Sequence, residues 1–338
     1  MYLQGQQNFS YLECVLMIDI MFENDGEQHQ IALQEGESVL EGIVRSGHDV
    51  PNSCRAGVCQ SCKMMTDDAV PPIAQKGLKS THKEQGYFLS CCCHPSESMR
   101  IKLAPAAQQF QTIVLSKKIV SDEVLILHIS KEFDYRPGQF ISLQSSDGES
   151  RCYSIASHNK LHEYIELHVR IYEQGQVSSW LAKDLQVGDD LTVVGATGEC
   201  FYVAEDQQKP LFLCGIGTGF APLYGILKDA LYQGHQGPIH MLLGAKTDDG
   251  FYYNEWLSCL RSSQVSIHQV ALSINDARNK HSFKADIYRY AQKFVPDFAN
   301  AQVYLCGAET FVQKMRKVCF LAGTPMQSIA ADAFVQSR

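Results

Sequence analysis

Cys54-Arg55-Ala56-Gly57-Val58-Cys59-Gln60-Ser61-Cys62 sets three cysteines at the spacing C-x₄-C-x₂-C. Three thiolates from one tight loop can converge on a pair of irons when a fourth returns from farther along the chain. Such a loop needs small residues where backbone amides turn toward the sulfides, and Ala56, Gly57 and Ser61 meet that need. Downstream, Gly86-Tyr87-Phe88-Leu89-Ser90-Cys91 is a strand-like run that ends on a thiol, followed directly by Cys92 and Cys93. These three consecutive cysteines compete for the fourth position. A closed zinc site is the rival reading, but zinc sites usually use paired C-x₂-C knuckles and the second knuckle is missing. The expected group is a [2Fe–2S] cluster, held by Cys54, Cys59, Cys62 and one of the later three.

Around this loop the chain reads as a small α+β unit of β-grasp type, spanning 14–104. An apolar run, Val15 to Phe22, leads through Asn24-Asp25-Gly26 to a second run ending at Leu33. Asp25-Gly26 supplies the positive φ angles of a tight hairpin. Ser38-Val39-Leu40-Glu41 has capping-box spacing and opens a short helix with Val39, Leu40, Ile43 and Val44 on one face and Gly47 at its end. At Ala104-Pro105-Ala106-Ala107-Gln108-Gln109 the composition turns small and polar, the mark of a linker.

The whole chain has 338 residues, enough for two or three domains. It is 45% hydrophobic and 20% charged, as globular proteins are. A net charge of −8 with no basic stripe argues against nucleic acid as a partner. No apolar run is long enough for a membrane span, and no Lys or Arg precedes the stretch Tyr11 to Phe22, which argues against a signal peptide. A cytoplasmic protein is expected. Thirteen cysteines, an odd number, then point to metal or redox use rather than disulfides. Cys14, Cys152, Cys200, Cys214, Cys259 and Cys319 sit among apolar residues and are expected to be inert, buried thiols.

Residues 110–205 are dense in short β-type runs: Ile113–Leu115, Val124–Ile129, Phe140–Leu143, Tyr153–Ile155, Tyr164–Ile171 and Leu191–Val194. Regular turn signals between them predict an antiparallel barrel. From 206 to 338 the pattern becomes strand–helix alternation, with strands at Leu211–Cys214, Ile239–Leu243, Ser266–Leu272 and Gln302–Cys306, so a parallel-sheet α/β domain follows. The expected molecule is multi-domain: β-grasp, β-barrel, parallel α/β.

Two motifs carry chemistry in these segments. Arg151-Cys152-Tyr153-Ser154 offers a cation, a ring and a hydroxyl on one strand, which a flavin dinucleotide needs at its pyrophosphate, its ring face and N5. Gly175-Gln176-Val177-Ser178-Ser179 follows, with Gly175, Val177 and Ser178 where a helix could begin and bind phosphate. Cys214-Gly215-Ile216-Gly217-Thr218-Gly219-Phe220-Ala221-Pro222 then joins a strand to a helix, and its glycines let backbone approach a pyrophosphate. It departs from the G-x-G-x-x-G fingerprint, since Phe220 stands at the third glycine position. Each motif alone has a bland alternative, an exposed strand end or a plain strand–helix turn; their order, closed by Tyr304-Leu305-Cys306-Gly307, makes the pattern specific.

That order resembles the ferredoxin–NADP reductase superfamily over 106–338, and the Gly86–Cys91 run resembles the "GYxLxC" ending of plant-type ferredoxin domains. The chain as a whole is similar to the reductase components of bacterial multicomponent oxygenases, such as the benzoate dioxygenase type. The resemblance selects Cys91 as the fourth iron ligand and leaves Cys92 and Cys93 as spectators. It implies that Arg151, Tyr153, Ser154, Gly175, Val177 and Ser178 bind FAD. It implies that Gly215, Gly217, Thr218, Gly219, Pro222, Cys306 and Gly307 hold the nicotinamide dinucleotide, and that Phe334 covers the flavin ring; an ordinary core aromatic is the alternative for Phe334. Ser154 and Cys306 would hold the nicotinamide C4 within hydride reach of flavin N5.

The implied activity is an NADH-dependent flavoprotein reductase feeding single electrons through the cluster to a soluble protein acceptor, an oxygenase component first of all. A reductase for deoxysugar dehydration or another iron–sulfur or di-iron acceptor is the alternative, with a quinone reductase behind it. NADH is expected over NADPH, because Leu272-Ser273-Ile274-Asn275 lacks the arginine that would grip a 2′-phosphate; Arg278 and Lys246 lie near in sequence.

Overall fold

The computed structural model describes residues 18–24, 26–52, 55, 57, 62–103, 108–145, 149–275 and 282–334. The chain forms two compact units, the first made of residues 1–78 and 85–105, the second of 79–84 and 106–338. The linker expected at 104–109 lies outside the described residues as far as 107, and so do Cys14, Cys54 and Cys59.

In the first unit, β1 (Asp19–Asn24) and β2 (Glu27–Ala32) form the expected hairpin, with Asn24 opposite Glu27 and Gly26 at φ +82°. Ile20 and Phe22 of β1 point inward by the two-residue period of a strand and are fully buried. Helix α1 (Val39–Arg45) follows. The Ser38 hydroxyl accepts from the Glu41 N–H at 3.3 Å, and the Glu41 carboxylate accepts from the Ser38 N–H at 2.8 Å. This capping box is worth about 1 kcal/mol. Val39, Leu40 and Ile43 are buried as the helical period predicts, but Val44 is 38% exposed. Gly42 takes the inward place instead, because Leu33 leaves no room there for a side chain. Strand β3 (Lys63–Met65), helix α2 (Ser80–Glu84, grouped with the second unit), β4 (Tyr87–Leu89) and β5 (Met99–Lys102) complete this stretch of chain. The sheet order is β2-β1-β5-β3-β4, with β5 parallel to β1 and the other pairs antiparallel. That mixed sheet and its helix are a β-grasp.

The second unit begins with an antiparallel sheet of β6 (Gln109–Ser121), β7 (Val124–Ser130), β8 (Phe140–Gln144), β9 (Ser150–Ser154), β10 (Tyr164–Arg170) and β11 (Asp190–Thr197), in the order β10-β7-β6-β11-β8-β9. A bridge between Ile155 and Leu167 joins the end of β9 back to β10 and closes the sheet toward a barrel. Helix α3 (Gln176–Lys183) packs Val177 and Leu181 on the barrel core.

The chain then becomes parallel. Strands β12 (Leu211–Ile216), β13 (Ile239–Thr247), β14 (Val265–Ser273), β15 (Ser282–Lys284), β16 (Gln302–Ala308) and β17 (Ile329–Phe334) stand in the order β15-β14-β13-β12-β16-β17. Every neighbouring pair is parallel. Helices α4 (Phe220–Tyr232), α5 (Asn254–Leu260), α6 (Ile287–Phe294) and α7 (Glu309–Leu321) connect them. The central strand β12 and the middles of β13 and β16 read as unbroken apolar runs because both faces are covered. Among the described residues no helix is long and apolar enough to cross a membrane. Two of the cysteines expected to be buried are not: Cys152, on the edge strand β9, and Cys259, in the last turn of α5, are exposed.

Candidate active site

The order of the parallel sheet reverses between β12 and β16, with β13 to β15 on one side and β17 on the other. In open parallel sheets, ligands bind at the carboxyl ends of strands where the order reverses. Here Gly215 of β12 is paired with Cys306 of β16. On the far side of β16, Cys306 stands opposite Asp332 and Ala308 opposite Phe334. The turn Gly217–Gly219 leaves β12 and enters α4. A Cβ on Gly219 would lie 2.2 Å from the Cys306 carbonyl oxygen, so only glycine lets the turn rest on β16. Pro222 falls within the first turn of α4, where its missing N–H breaks no helix bond. Above the turn opens a cleft of about 690 Å³, lined among others by Gly217, Thr218, Lys246, Tyr288, Thr310 and Phe334. Cys306 itself is fully buried beneath it.

Ser154 ends β9, and its hydroxyl donates to the Asp332 carboxylate at 2.5 Å. Burial raises the Asp332 carboxyl above its ordinary value, and the Ser154 hydroxyl works against that. Ser154 of β9 and Cys306 of β16 thereby both meet Asp332 of β17, the strand that Phe334 ends. Arg151, half-buried, donates to the Glu149 carboxylate at 3.1 Å and to the Ser150 carbonyl at 2.6 Å. Tyr153 packs half-buried against the barrel core. Gly175 is the N-cap of α3. The Ser178 hydroxyl turns back to accept from the Tyr172 N–H at 3.2 Å, and Val177 is buried. What α3 offers outward is therefore the first-turn backbone N–H groups rather than these side chains.

In the β-grasp unit, the Cys62 and Cys91 sulfurs lie 3.2 Å apart. That is well beyond the ~2.05 Å of a disulfide and close enough for both to reach one small metal–sulfide group. Gly57 has φ +74°, and a Cβ there would meet the Cys92 sulfur at 2.8 Å, so Cys92 is packed beneath the loop. Cys93 is fully buried in the β-grasp core.

Two features escaped the sequence reading. Asp332 is one; a lone acid in the run Ile329-Ala330-Ala331-Asp332-Ala333-Phe334 was the available signal. The other is a buried polar chain on β10. Glu166 accepts from His128 Nε2 at 2.9 Å and from His168 Nε2 at 3.2 Å. With both Nε2 atoms donating, His168 Nδ1 accepts the Tyr252 hydroxyl at 2.9 Å, tying the barrel to the parallel-sheet segment. Nothing in the spacing of these residues announces the chain, because it is assembled across two strands and a distant loop.

The chain matches three domain families in order: the 2Fe-2S iron-sulfur cluster binding domain over 22–96, the oxidoreductase FAD-binding domain over 111–202 and the oxidoreductase NAD-binding domain over 212–317. It is 28% identical over 317 residues to a terephthalate 1,2-dioxygenase reductase component from Comamonas sp, covering 89% of this chain and 93% of the relative. A CDP-6-deoxy-L-threo-D-glycero-4-hexulose-3-dehydrase reductase from Yersinia pseudotuberculosis is 26% identical, with 94% and 97% covered. Among solved structures, a cytochrome P450 reductase from Amycolatopsis superposes with a TM-score of 0.65 at 21% identity, covering 94% of this chain and 98% of that one. That last likeness speaks for the fold alone. With iron–sulfur, flavin and nicotinamide domains following one another in one chain, and full-length relatives that are reductase components, the protein belongs to the fused ferredoxin-type NAD(P)H reductases and is an electron-transfer flavoprotein oxidoreductase.

Proposed function

We propose that this reductase draws its electrons from NADH in preference to NADPH, works in the cytoplasm, and delivers to an oxygenase component. Flavin, when bound, accepts a hydride and gives up electrons singly, which is the conversion a nicotinamide and a [2Fe–2S] cluster require of it. The chain's own residues do the positioning. The first-turn N–H groups of α4 and the close-lying glycine turn receive the nicotinamide dinucleotide's phosphates. Ser154, held by Asp332, sets a hydroxyl beside β17, and the Cys306 backbone supports the glycine turn beneath the cleft. Phe334 walls the same cleft and yields to the nicotinamide. Arg151, Tyr153 and the start of α3 take the FAD, while Cys54, Cys59, Cys62 and Cys91 take the cluster. Holding the hydride donor and acceptor atoms at near-attack distance is the largest contribution such a site can make. The observation that carries this reading is the contact of Gly219 with the Cys306 backbone directly beneath the cleft.

The nicotinamide preference rests on the end of β14. Leu272 borders the cleft, the Ser273 hydroxyl bonds the Lys246 carbonyl at 3.4 Å, and no arginine follows directly. Arg278 lies outside the described residues. Comparing kcat/KM for NADH and NADPH tests it, and equal values would refute the preference. A deoxysugar dehydrase acceptor is the second reading, favoured by the Yersinia relative. NADH-driven reduction of purified oxygenase and dehydrase partners, side by side, separates the two.

A further inference from the structure

Two thiols that the electron-transfer path does not pair lie against each other. Cys200, three residues past β11, is 3% exposed, and its sulfur is 3.7 Å from that of the fully buried Cys306. The backbone on each side is pinned. The Cys200 carbonyl oxygen would be 2.3 Å from a Cβ on Gly138, and the Cys306 carbonyl 2.2 Å from one on Gly219. Closing the gap to the ~2.05 Å of a disulfide therefore falls to side-chain rotation, a movement of under about 2 Å. The product is uncharged and apolar, so the surrounding core of Tyr202, Phe220 and Tyr304 can accept it.

We infer that Cys200 and Cys306 form a redox-active pair that hydrogen peroxide converts to a disulfide, repositioning the Cys306 side chain beneath the nicotinamide cleft. The peroxide oxygen–oxygen bond breaks as the first sulfur takes one oxygen to become a sulfenic acid and one water leaves. The second thiol then attacks that sulfur, the sulfur–oxygen bond breaks and a second water leaves. The two thiols together lose two electrons and two protons, and one hydrogen peroxide molecule takes them to become two waters. Burial pushes the Cys306 thiol well above its ordinary value, and the Asp332 amide N–H opposes this at the same sulfur. The reaction is accordingly slow and needs peroxide in excess. The disulfide would also stitch the barrel segment to β16 within the same unit.

The loss of activity rests on the proposed role of Cys306, whereas the bond does not, so the test reads both. The holoenzyme is incubated with hydrogen peroxide, alkylated under denaturing conditions and mapped by peptide mass, and NADH-driven flavin reduction is followed on the same sample. The expected result is a cross-linked Cys200–Cys306 peptide and a loss of flavin reduction of at least about tenfold, as misplacement of reacting groups produces. Dithiothreitol should restore the rate. Cys200→Ser and Cys200→Ala should each keep the basal rate, form no cross-link and show no thiol-reversible loss. Absence of the cross-linked peptide while Cys306 is oxidised further would overturn the pair. A cross-link that leaves flavin reduction unchanged would overturn the regulatory consequence and, with it, the placement of Cys306 at the nicotinamide.

Discussion

The Ser154 hydroxyl and the Asp332 carboxylate meet at 2.5 Å, joining the last residue of a barrel strand to the last strand of the parallel sheet. The bond holds a half-buried acid whose carboxyl is raised by desolvation. A raised acid binds its proton more tightly folded than unfolded. Its contribution to stability therefore falls as pH rises from its ordinary value upward through the folded one. Asp332→Asn removes that penalty. The variant should melt higher than the parent at about pH 8, with the difference closing toward about pH 4. Its flavin should be reduced by NADH more slowly, since Ser154 loses its anionic partner. Thermal melts across pH and stopped-flow flavin reduction check the two halves.

Glu166 works in the opposite sense. Burial opposes its ionisation, and the hydrogen bonds from His128 and His168 overcome that and hold the carboxyl well below the usual carboxylate range. A depressed acid contributes stability that is present above its unfolded value and is lost as pH falls below it. Glu166→Gln should cost roughly 1.5–3 kcal/mol at neutral pH, the scale of hydrogen bonds to a charged group. The loss should shrink steadily in acid. Denaturant unfolding at several pH values measures it, and a loss independent of pH would mean that the charge of Glu166 is not what matters.

The fold was legible wherever local chemistry repeats itself. The Ser38–Glu41 capping box, the hairpin around Gly26 and the continuous apolar runs of β12, β13 and β16 all announce themselves within a few residues. Exposure was less legible. Val44 has the right helical phase for burial, yet Gly42 faces inward in its place, which only the packing of Leu33 decides. Relations between distant segments were invisible for the same reason. Asp332 and Ser154 are 178 residues apart, and Cys200 and Cys306 are 106 apart, so no spacing connects either pair.

The cluster ligands give a direct substitution test. Cys91 faces Cys62 at 3.2 Å, whereas Cys93 is sealed in the β-grasp core. Cys91→Ser should abolish the cluster's visible absorbance and leave flavin reduction by NADH intact, while Cys92→Ser and Cys93→Ser should retain the cluster. Iron and acid-labile sulfide content give the readout. Loss of iron from the Cys92 or Cys93 variant alone would move the ligand to that residue.

Phe334 closes β17 opposite Ala308 and borders the cleft without being fully buried. Replacing it with alanine should cost about 1 kcal/mol of stability or less, short of the roughly 3–5 kcal/mol of a core phenylalanine. Nicotinamide affinity and the ratio of NADH to NADPH use should change. Melting temperature and cofactor selectivity are to be measured on one preparation; a large stability loss with unchanged selectivity would make Phe334 a core residue only.

Electrons pass from nicotinamide to flavin and only then to the cluster, an order that anaerobic rapid mixing with NADH resolves. Flavin and cluster are followed together by visible absorbance, and the reduced cluster by electron paramagnetic resonance. Flavin absorbance should fall first and the cluster signal grow afterwards, at a rate fixed by the flavin. In the Cys91→Ser protein, flavin reduction should keep its rate and the cluster signal should be absent. A cluster reduced before the flavin, or reduced in protein stripped of FAD, would contradict that order.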